Sequence, residues 1–263
     1  MQDWNPALYL HFADERTRPA AELLARVPLQ QARRVVDLGC GPGNSTALLL
    51  ERFADAQITG VDRSPAMLEQ ARQHLPQAEF LQADITHWQP DADARPDLIF
   101  ANATLHWLGA HQILIPRLFS QLAPGGVLAI QMPDNLQEPT HRLMREVASL
   151  PPYAAHVGHA DQARPSILSV GAYYDLLTTG PTPATSVDVW HTIYQHPMPS
   201  AAAVVQWLRA TGLRPFVDAL PANLQASFLA EYENRIDVVY SPRVDGQRLL
   251  AFPRIFIVAQ RPA

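Results

Sequence analysis

The chain has 263 residues, 48% hydrophobic and 17% charged, so it can bury one substantial core but would be crowded as two full domains. A net charge of -5 disfavours a general binder of nucleic acid or membrane surfaces, because such proteins need a basic field to attract phosphates. All 20 basic residues are arginine. This excludes lysine-based chemistry and leaves arginine as the strong cation for an anionic substrate.

The cellular location is predicted from what the sequence lacks. The single cysteine, Cys40, cannot form an internal disulfide, and residues 1–20 do not form a charged-then-apolar leader. No apolar run reaches membrane-spanning length. We therefore expect a cytoplasmic protein that binds neither nucleic acid nor membranes. No metal site is predicted, and the oligomeric state stays open.

Strands and helices are predicted to alternate through the first half of the chain. Helices are expected at residues 19–27, 44–53 and 112–121, and another is expected after Ser64, with Pro65 at its first position. Strands are expected at residues 35–38, 58–62, 79–83, 97–102 and 127–132. This alternation favours an α/β fold, Rossmann-like and doubly wound around a mostly parallel sheet, with ligands beyond the carboxyl ends of the strands.

The second half is less regular. Helices are expected at residues 140–149, 200–211 and 222–239, a loop or mobile lid at 151–165, and strands at 187–194 and 252–259. The last strand would complete seven, antiparallel to its neighbours, and residues 195–250 would form a helical insertion over the active-site edge. We predict a single domain, residues 1–263, with a cofactor-binding half at 30–135 and a substrate-side half at 136–263.

A glycine-rich turn carries the most information about function. It reads Asp-Leu-Gly-Cys-Gly-Pro-Gly at residues 37–43, between a predicted strand and a predicted helix. Its glycines let backbone amides approach a ligand, and the helix start offers partial positive charge. Asp62 ends the next strand about 20 residues later, where a carboxylate can accept the hydrogens of both ribose hydroxyls. A nucleoside-containing cofactor is therefore expected.

Each polar residue at a strand end also has a structural interpretation. Asp37 could satisfy amides of the turn, Asp84 could cap the turn at residues 86–88, and Asn102 could terminate its strand. Cys40, flanked by glycines and without a basic neighbour, is interpreted as a packing residue rather than a nucleophile. Because these polar residues recur at the ends of consecutive strands, the cofactor interpretation is favoured.

The turn resembles that of class I S-adenosylmethionine-dependent methyltransferases, since it begins with an acidic residue and lacks the third glycine of the dinucleotide fingerprint. The resemblance implies that Gly39 and Gly41 face the methionine moiety, that Asp62 binds ribose and that Asp84 lies near the adenine amine. The expected cofactor is S-adenosylmethionine, which becomes S-adenosylhomocysteine after methyl transfer. The residues expected to bind it are Asp37, Gly39, Cys40, Gly41, Asn44, Asp62, Arg63, Met67, Asp84, Ile85 and Asn102.

Further motifs resemble the trans-aconitate 2-methyltransferase family over nearly the whole chain. They include Asp-Trp-Asn-Pro at residues 3–6, Met-Pro-Asp-Asn at 132–135 and Phe-Pro-Arg-Ile-Phe at 252–256. His106 and the stretch 153–165 depart from the family pattern. The resemblance implies an enzyme that forms the monomethyl ester of trans-aconitate. Alternatives are a methyltransferase for another small carboxylic acid or a hydroxyl acceptor, an NAD-dependent oxidoreductase, and a non-catalytic binding module.

The implied substrate is a tricarboxylate, whose acid groups titrate near ~4 and are ionised at neutral pH. Such an acceptor needs no general base, so we assign no catalytic residue and expect catalysis by positioning. Arginines would bind the carboxylates, although for any single one of the 20 a solvated surface position is favoured. The expected substrate-binding set is Trp4, Tyr9, Arg16, Arg18, His106, Trp107, Arg214 and Arg254, with the last two leading.

Overall fold

The structure is a computed structural model that describes residues 13–91, 93–158, 164–209 and 211–263, with the side chains of residues 13–16 also left aside. Its seven strands are β1 (Arg34–Leu38), β2 (Gln57–Asp62), β3 (Glu79–Gln82), β4 (Leu98–Asn102), β5 (Val127–Pro133), β6 (Ser186–Met198) and β7 (Arg248–Gln260). They form one sheet in the order β3-β2-β1-β4-β5-β7-β6. The pairings β3–β2, β2–β1, β1–β4 and β4–β5 are parallel. The predicted mostly parallel, seven-stranded sheet is confirmed.

Helices connect most of these strands. They are α1 (Ala13–Ala25), α2 (Asn44–Arg52), α3 (Pro65–His74), α4 (His111–Ser120), α5 (Pro139–Ala148), α6 (Pro151–Val157), α7 (Val170–Thr178), α8 (Ala201–Arg209), α9 (Arg214–Ala219) and α10 (Ala222–Val239). A 3-10 helix, Leu105–Trp107, follows β4. The last three helices lie between β6 and β7 in the chain, as the predicted helical insertion requires. Among the helices described, we find none with the length and apolarity needed to cross a membrane.

Two local signals explain how the site-bearing elements form. All seven residues of β5 and four of the five in β4 are buried, as expected for central parallel strands covered on both faces. Helix α3 begins as predicted: the Ser64 hydroxyl accepts a hydrogen bond from the Met67 amide at 3.3 Å, and Pro65 occupies the first turn. The strand ends and helix starts that carry the predicted cofactor residues are thus locally specified.

The chain divides into two compact units. The first unit comprises residues 1–132, 167–191 and 255–263, and the second unit comprises residues 133–166 and 192–254, each within its described part. Strands β6 and β7 contribute residues to both units. The predicted halves at 30–135 and 136–263 follow other boundaries, and the division into a cofactor half and a substrate half stays a prediction.

Two predictions of local structure are wrong, and two helices were missed. Residues 151–157 form α6 instead of a loop, because Pro151 and Pro152 occupy its first turn, where their missing N–H groups cost nothing, and Tyr153 and Val157 are buried one turn apart. Helix α1 begins at Ala13 rather than Pro19, whose buried ring lies one turn before Leu23. Helices α7 and α9 were not predicted.

Candidate active site

The glycine-rich turn follows β1 and is held at the end of β2. The amides of Gly39 and Cys40 donate to the Val61 carbonyl at 2.7 and 3.2 Å. Gly39 has a φ of +69°, and a Cβ there would lie 2.0 Å from the Thr104 hydroxyl oxygen, so only glycine fits. Gly41 also has a positive φ, +55°, but nothing lies within 4 Å of its missing Cβ. The turn therefore closes against Thr104 on one side and leaves open space at Gly41.

Asp37 stabilises this turn through buried hydrogen bonds. Its side chain is fully buried, and its Oδ2 accepts hydrogen bonds from the hydroxyls of Ser45 and Thr46, both at 2.7 Å. Its Oδ1 is buried without a hydrogen-bond partner in the described part of the chain. Burial raises the pKa of Asp37 to about 6; the two hydroxyls oppose this, and the nearby charge of Asp62 adds to it. Asp37 thus joins β1 to the start of α2.

Asp62 lies at the end of β2 and is half-buried. Its Oδ2 accepts from the Gly41 amide at 3.0 Å, and its Oδ1 accepts from the Ser64 amide at 2.9 Å. A carboxylate can accept about four hydrogen bonds, so both oxygens keep capacity for ligand hydroxyls. Of its predicted neighbours, Arg63 is exposed and Met67 is buried on α3. Asp62 therefore both shapes the turn and presents acceptors.

Asp84 makes the contacts of a turn cap. Its Oδ1 accepts from the amide and the hydroxyl of Thr86, at 2.8 and 2.6 Å, and these bonds lower the pKa of the exposed Asp84 carboxyl. The next residue, Ile85, is buried, and its carbonyl accepts from Arg117 at 2.7 Å. Arg117 also donates to the Trp88 carbonyl at 2.5 Å, which fixes this segment. Asp84 therefore has a structural role in this turn, and its binding to the adenine amine stays a prediction.

Asn102 ends β4 opposite Gln131 of β5, and Ala103 then turns the chain with a φ of +52°. Asn102 Oδ1 is buried, and no described residue bonds to it. Asn102 is one of the residues that line a small pocket within the first unit. The pocket is lined by Thr17, Ala20, Gly39, Cys40, Pro42, Asn44, Ser45 and Asn102. Four predicted cofactor residues, Gly39, Cys40, Asn44 and Asn102, thus line the same recess.

Cys40 and His106 are both buried near these strand ends. Burial raises the pKa of the Cys40 thiol, with Asp37 adding to the effect, so the thiol stays protonated at neutral pH, in keeping with a packing role. His106 and Trp107 lie in the 3-10 helix with ring centroids 5.0 Å apart. The buried ring of His111 lies 3.0 Å from the Leu105 carbonyl, and this contact holds that helix in place.

The predicted substrate arginines have different surroundings. Arg18 is exposed and pairs with Glu22 at 2.7 Å. Arg214 begins α9 and pairs with Asp218 at 3.3 Å. Arg254 is only 4% exposed, with its guanidinium 4.7 Å from the centre of the Phe252 ring. Trp4, Tyr9 and the side chain of Arg16 lie outside the described residues.

Sequence reasoning missed several residues that shape the site. Thr104 fills the space beside Gly39, Arg117 fixes the segment after β3, and Thr17 lines the pocket. Ser45 and Thr46 directly follow the glycine turn, and their hydroxyls could have been matched to Asp37 as helix-start partners. The others act through contacts between distant parts of the chain and leave no local signal.

The described residues fit S-adenosylmethionine. The open space at Gly41 admits a ligand against the turn, the unpartnered Asn102 Oδ1 suits an ammonium donor, and Asp62 offers acceptors to ribose hydroxyls. The roles of the individual residues remain predictions.

Comparisons with known proteins identify the family. A family model described as a methyltransferase domain matches residues 29–193. The trans-aconitate 2-methyltransferase of Delftia acidovorans is 68% identical, over 99% of this chain and 99% of its own. That of Variovorax paradoxus is 65% identical over the full length of both chains. The solved structure of the YcgJ protein of Bacillus subtilis has a TM-score of 0.59 at 13% identity, covers 94% of this chain and 99% of its own, and supports the fold. The chain belongs to the trans-aconitate 2-methyltransferase family of S-adenosylmethionine-dependent methyltransferases.

Proposed function

We propose that this enzyme transfers the methyl group of S-adenosylmethionine to one carboxylate of trans-aconitate, giving the monomethyl ester and S-adenosylhomocysteine. The observation that carries the proposal is the 68% identity, over 99% of both chains, to a relative named for this reaction. A cytoplasmic location and the absence of nucleic-acid partners stay predictions from the sequence.

The cofactor would supply an electrophilic methyl group. We assign its binding to the residues of the first unit: Asp62 would accept from the ribose hydroxyls, while Gly39, Gly41 and Asn102 would surround the methionine moiety. Asp84 would keep one carboxylate oxygen for the adenine amine while the other accepts from Thr86. Asp37, Cys40, Asn44, Arg63, Met67 and Ile85 complete the proposed set.

No residue is assigned as a general base, because a carboxylate with a pKa near ~4 is already nucleophilic at neutral pH. The chain's contribution would be orientation, which can supply up to roughly 7 to 11 kcal/mol. Arg254, Arg214, Arg16 and Arg18 would hold the carboxylates, and Trp4, Tyr9, His106 and Trp107 would exclude water. Of these, Arg254 has the surroundings best suited to the role, because a buried guanidinium binds a carboxylate more strongly than an exposed one.

Calorimetric titration with S-adenosylhomocysteine, followed by mass spectrometry of methyl transfer, tests the proposal. We expect S-adenosylhomocysteine to bind, NAD not to bind, and trans-aconitate to gain one methyl group. The acceptor panel should include a dicarboxylate, a monocarboxylate and an alcohol. Methylation of the alcohol in preference to every acid would contradict the assignment, as would stabilisation by NAD alone.

A further inference from the structure

A second guanidinium, partly buried, lies in the second unit on a residue that sequence reasoning did not select. Arg164 donates through Nη1 to Asn135 Oδ1 at 2.6 Å and through Nη2 to the Pro133 carbonyl at 2.7 Å. Its Nε is buried and has no hydrogen-bond partner in the part of the chain that the structure describes. Arg164 is therefore held in place by two of its five N–H donors, and the buried Nε–H is not used by them.

Arg254 is attached to the same short segment. The Asp134 amide donates to the carbonyl of Pro253 at 2.9 Å, so the residue before Arg254 pairs with the segment that anchors Arg164. The Arg254 side chain is 4% exposed, and its guanidinium lies 4.7 and 5.9 Å from the ring centres of Phe252 and Tyr194. Both guanidinium groups therefore belong to one region around residues 133–135.

The electrostatics of this region favour an anion. Burial lowers the pKa of Arg164 to about 10; Asp134 opposes the shift, and the positive charge of Arg254 adds to it. Arg164 therefore stays protonated at neutral pH, and Asp134 is the carboxylate that acts on it. Buried cations are costly unless paired, and the Nε–H of Arg164 has no partner among the described residues, so this region is suited to a ligand with negative charges.

His141 is a further buried polar residue of the second unit, close enough to Arg164 for that charge to act on its ring. It is 5% exposed, and its Nε2 has no hydrogen-bond partner among the described residues. Burial, followed by the charges of Arg164 and Arg145, lowers its pKa to about 3, so the ring is neutral. Thr140 Oγ1 lies 3.2 Å from Nδ1, and the tautomer in which this hydroxyl donates to Nδ1 places the ring N–H on Nε2.

We propose that Arg164 and Arg254 together bind carboxylates of the substrate, and that Arg164 is a specificity-determining residue for polycarboxylates. The inference rests on the proposed function and deepens it. Two planar guanidinium groups in one region can each hold a separate carboxylate, which one arginine cannot do for a tricarboxylate.

The test compares Arg164→Met, Arg164→Lys and the control Arg209→Met, which removes an exposed arginine of the same unit. Trans-aconitate binding is measured by calorimetry with S-adenosylhomocysteine present, and kcat/KM is measured for tri-, di- and monocarboxylates. For Arg164→Met we expect trans-aconitate affinity to fall at least about 30-fold, equivalent to about 2 kcal/mol, with S-adenosylhomocysteine affinity unchanged. The kcat/KM for a monocarboxylate should change less than about threefold. Arg164→Lys should keep part of the trans-aconitate affinity, because lysine retains the positive charge but cannot form the two parallel hydrogen bonds of a guanidinium.

Three results would overturn the inference. One is an Arg164→Met protein with wild-type affinity and preference. Another is an equal loss of affinity for every acid and for S-adenosylhomocysteine, which would indicate a structural role. If Arg164→Met does not fold, the same affinities are measured for Arg164→Lys, and they decide between a substrate-binding role and a structural role. The third is a wild-type protein that binds no polycarboxylate, including citrate. If wild type binds polycarboxylates through Arg164 but does not methylate trans-aconitate, the proposed function fails and the anion site stands.

Discussion

Replacing Asp37 with asparagine should change the pH dependence of stability in a defined direction. Burial raises the pKa of Asp37 from 3.8 to about 6 in the folded protein. The folded state therefore binds this proton more tightly than the unfolded state does. The stabilisation from the protonated group is fully present below pH 3.8 and is lost as the pH rises through about 6. Above that, the ionised carboxylate costs about 3 kcal/mol, from 1.36 kcal/mol per pKa unit.

Asp37→Asn removes the ionisation and keeps an oxygen that can accept from Ser45 and Thr46. Its amide group takes the place of the unpartnered Oδ1, and burying that NH2 costs about 1 to 3 kcal/mol. This cost does not vary with pH, so it cancels in a comparison of two pH values. The stability of Asp37→Asn relative to wild type should rise by about 2 kcal/mol between pH 4.5 and 7.5.

Urea unfolding of both proteins at several pH values, followed by circular dichroism, measures this difference. The wild-type profile alone is not sufficient, because the pKa of His141, lowered to about 3, makes stability rise with pH over an overlapping range. Asp55→Asn removes an exposed carboxylate and serves as the control. A stability difference between Asp37→Asn and wild type that is constant within ~0.5 kcal/mol from pH 4.5 to 7.5 would refute the reasoning.

Three further predictions concern the cofactor turn and the reaction. Asp62→Ala should weaken S-adenosylhomocysteine binding by ~1.5 to 3 kcal/mol in calorimetry, because it removes acceptors for ribose and the bond to the Gly41 amide; unchanged affinity in a folded variant would contradict the assignment. Gly39→Ala should destabilise the protein by at least ~2 kcal/mol in urea unfolding, because its Cβ would meet Thr104, whereas Gly41→Ala should cost only about 1 kcal/mol; equal losses would show that the contact with Thr104 is unimportant. The rate of methyl transfer should be nearly flat from pH 7 to about 9, since an ionised carboxylate needs no base. A steep rise with pH would indicate a general base and a hydroxyl acceptor.

Local signals account for the parts of the fold that could be predicted. The cap at Ser64 and the limits of α10 (Ala222–Val239) follow from neighbouring residues, and the structure has both as expected. Asp37 and Asp62 could be found because each lies at the end of an apolar run, two residues before a glycine or a serine. Pro151 and Pro152 led to the wrong prediction of a loop, because proline can either break a helix or occupy its first turn. Burial of the following residues decides between these roles, and that burial comes from tertiary packing.

The arginines show where sequence reasoning stops. Arg214 was a leading choice for the substrate site, yet it pairs with Asp218 on its own helix, four residues on. Arg164 lies in the stretch 151–165, for which the sequence predicts only a loop or mobile lid. Its hydrogen bonds go to Asn135 and Pro133, 29 and 31 residues away. No periodicity within the stretch encodes such partners, so the environment of Arg164 becomes visible only in the folded chain.

The strand order also constrains how the protein is made. β7 lies between β5 and β6, although it follows both in the chain. While residues 199–247 are being synthesised, β6 lacks its neighbour in the sheet and one edge of β5 stays open. At about 5 to 20 residues per second, β7 follows β6 by roughly 3 to 12 s. Strand edges left unpaired for seconds can bind other chains, so the nascent protein has a defined interval in which chaperones or aggregation compete with β7.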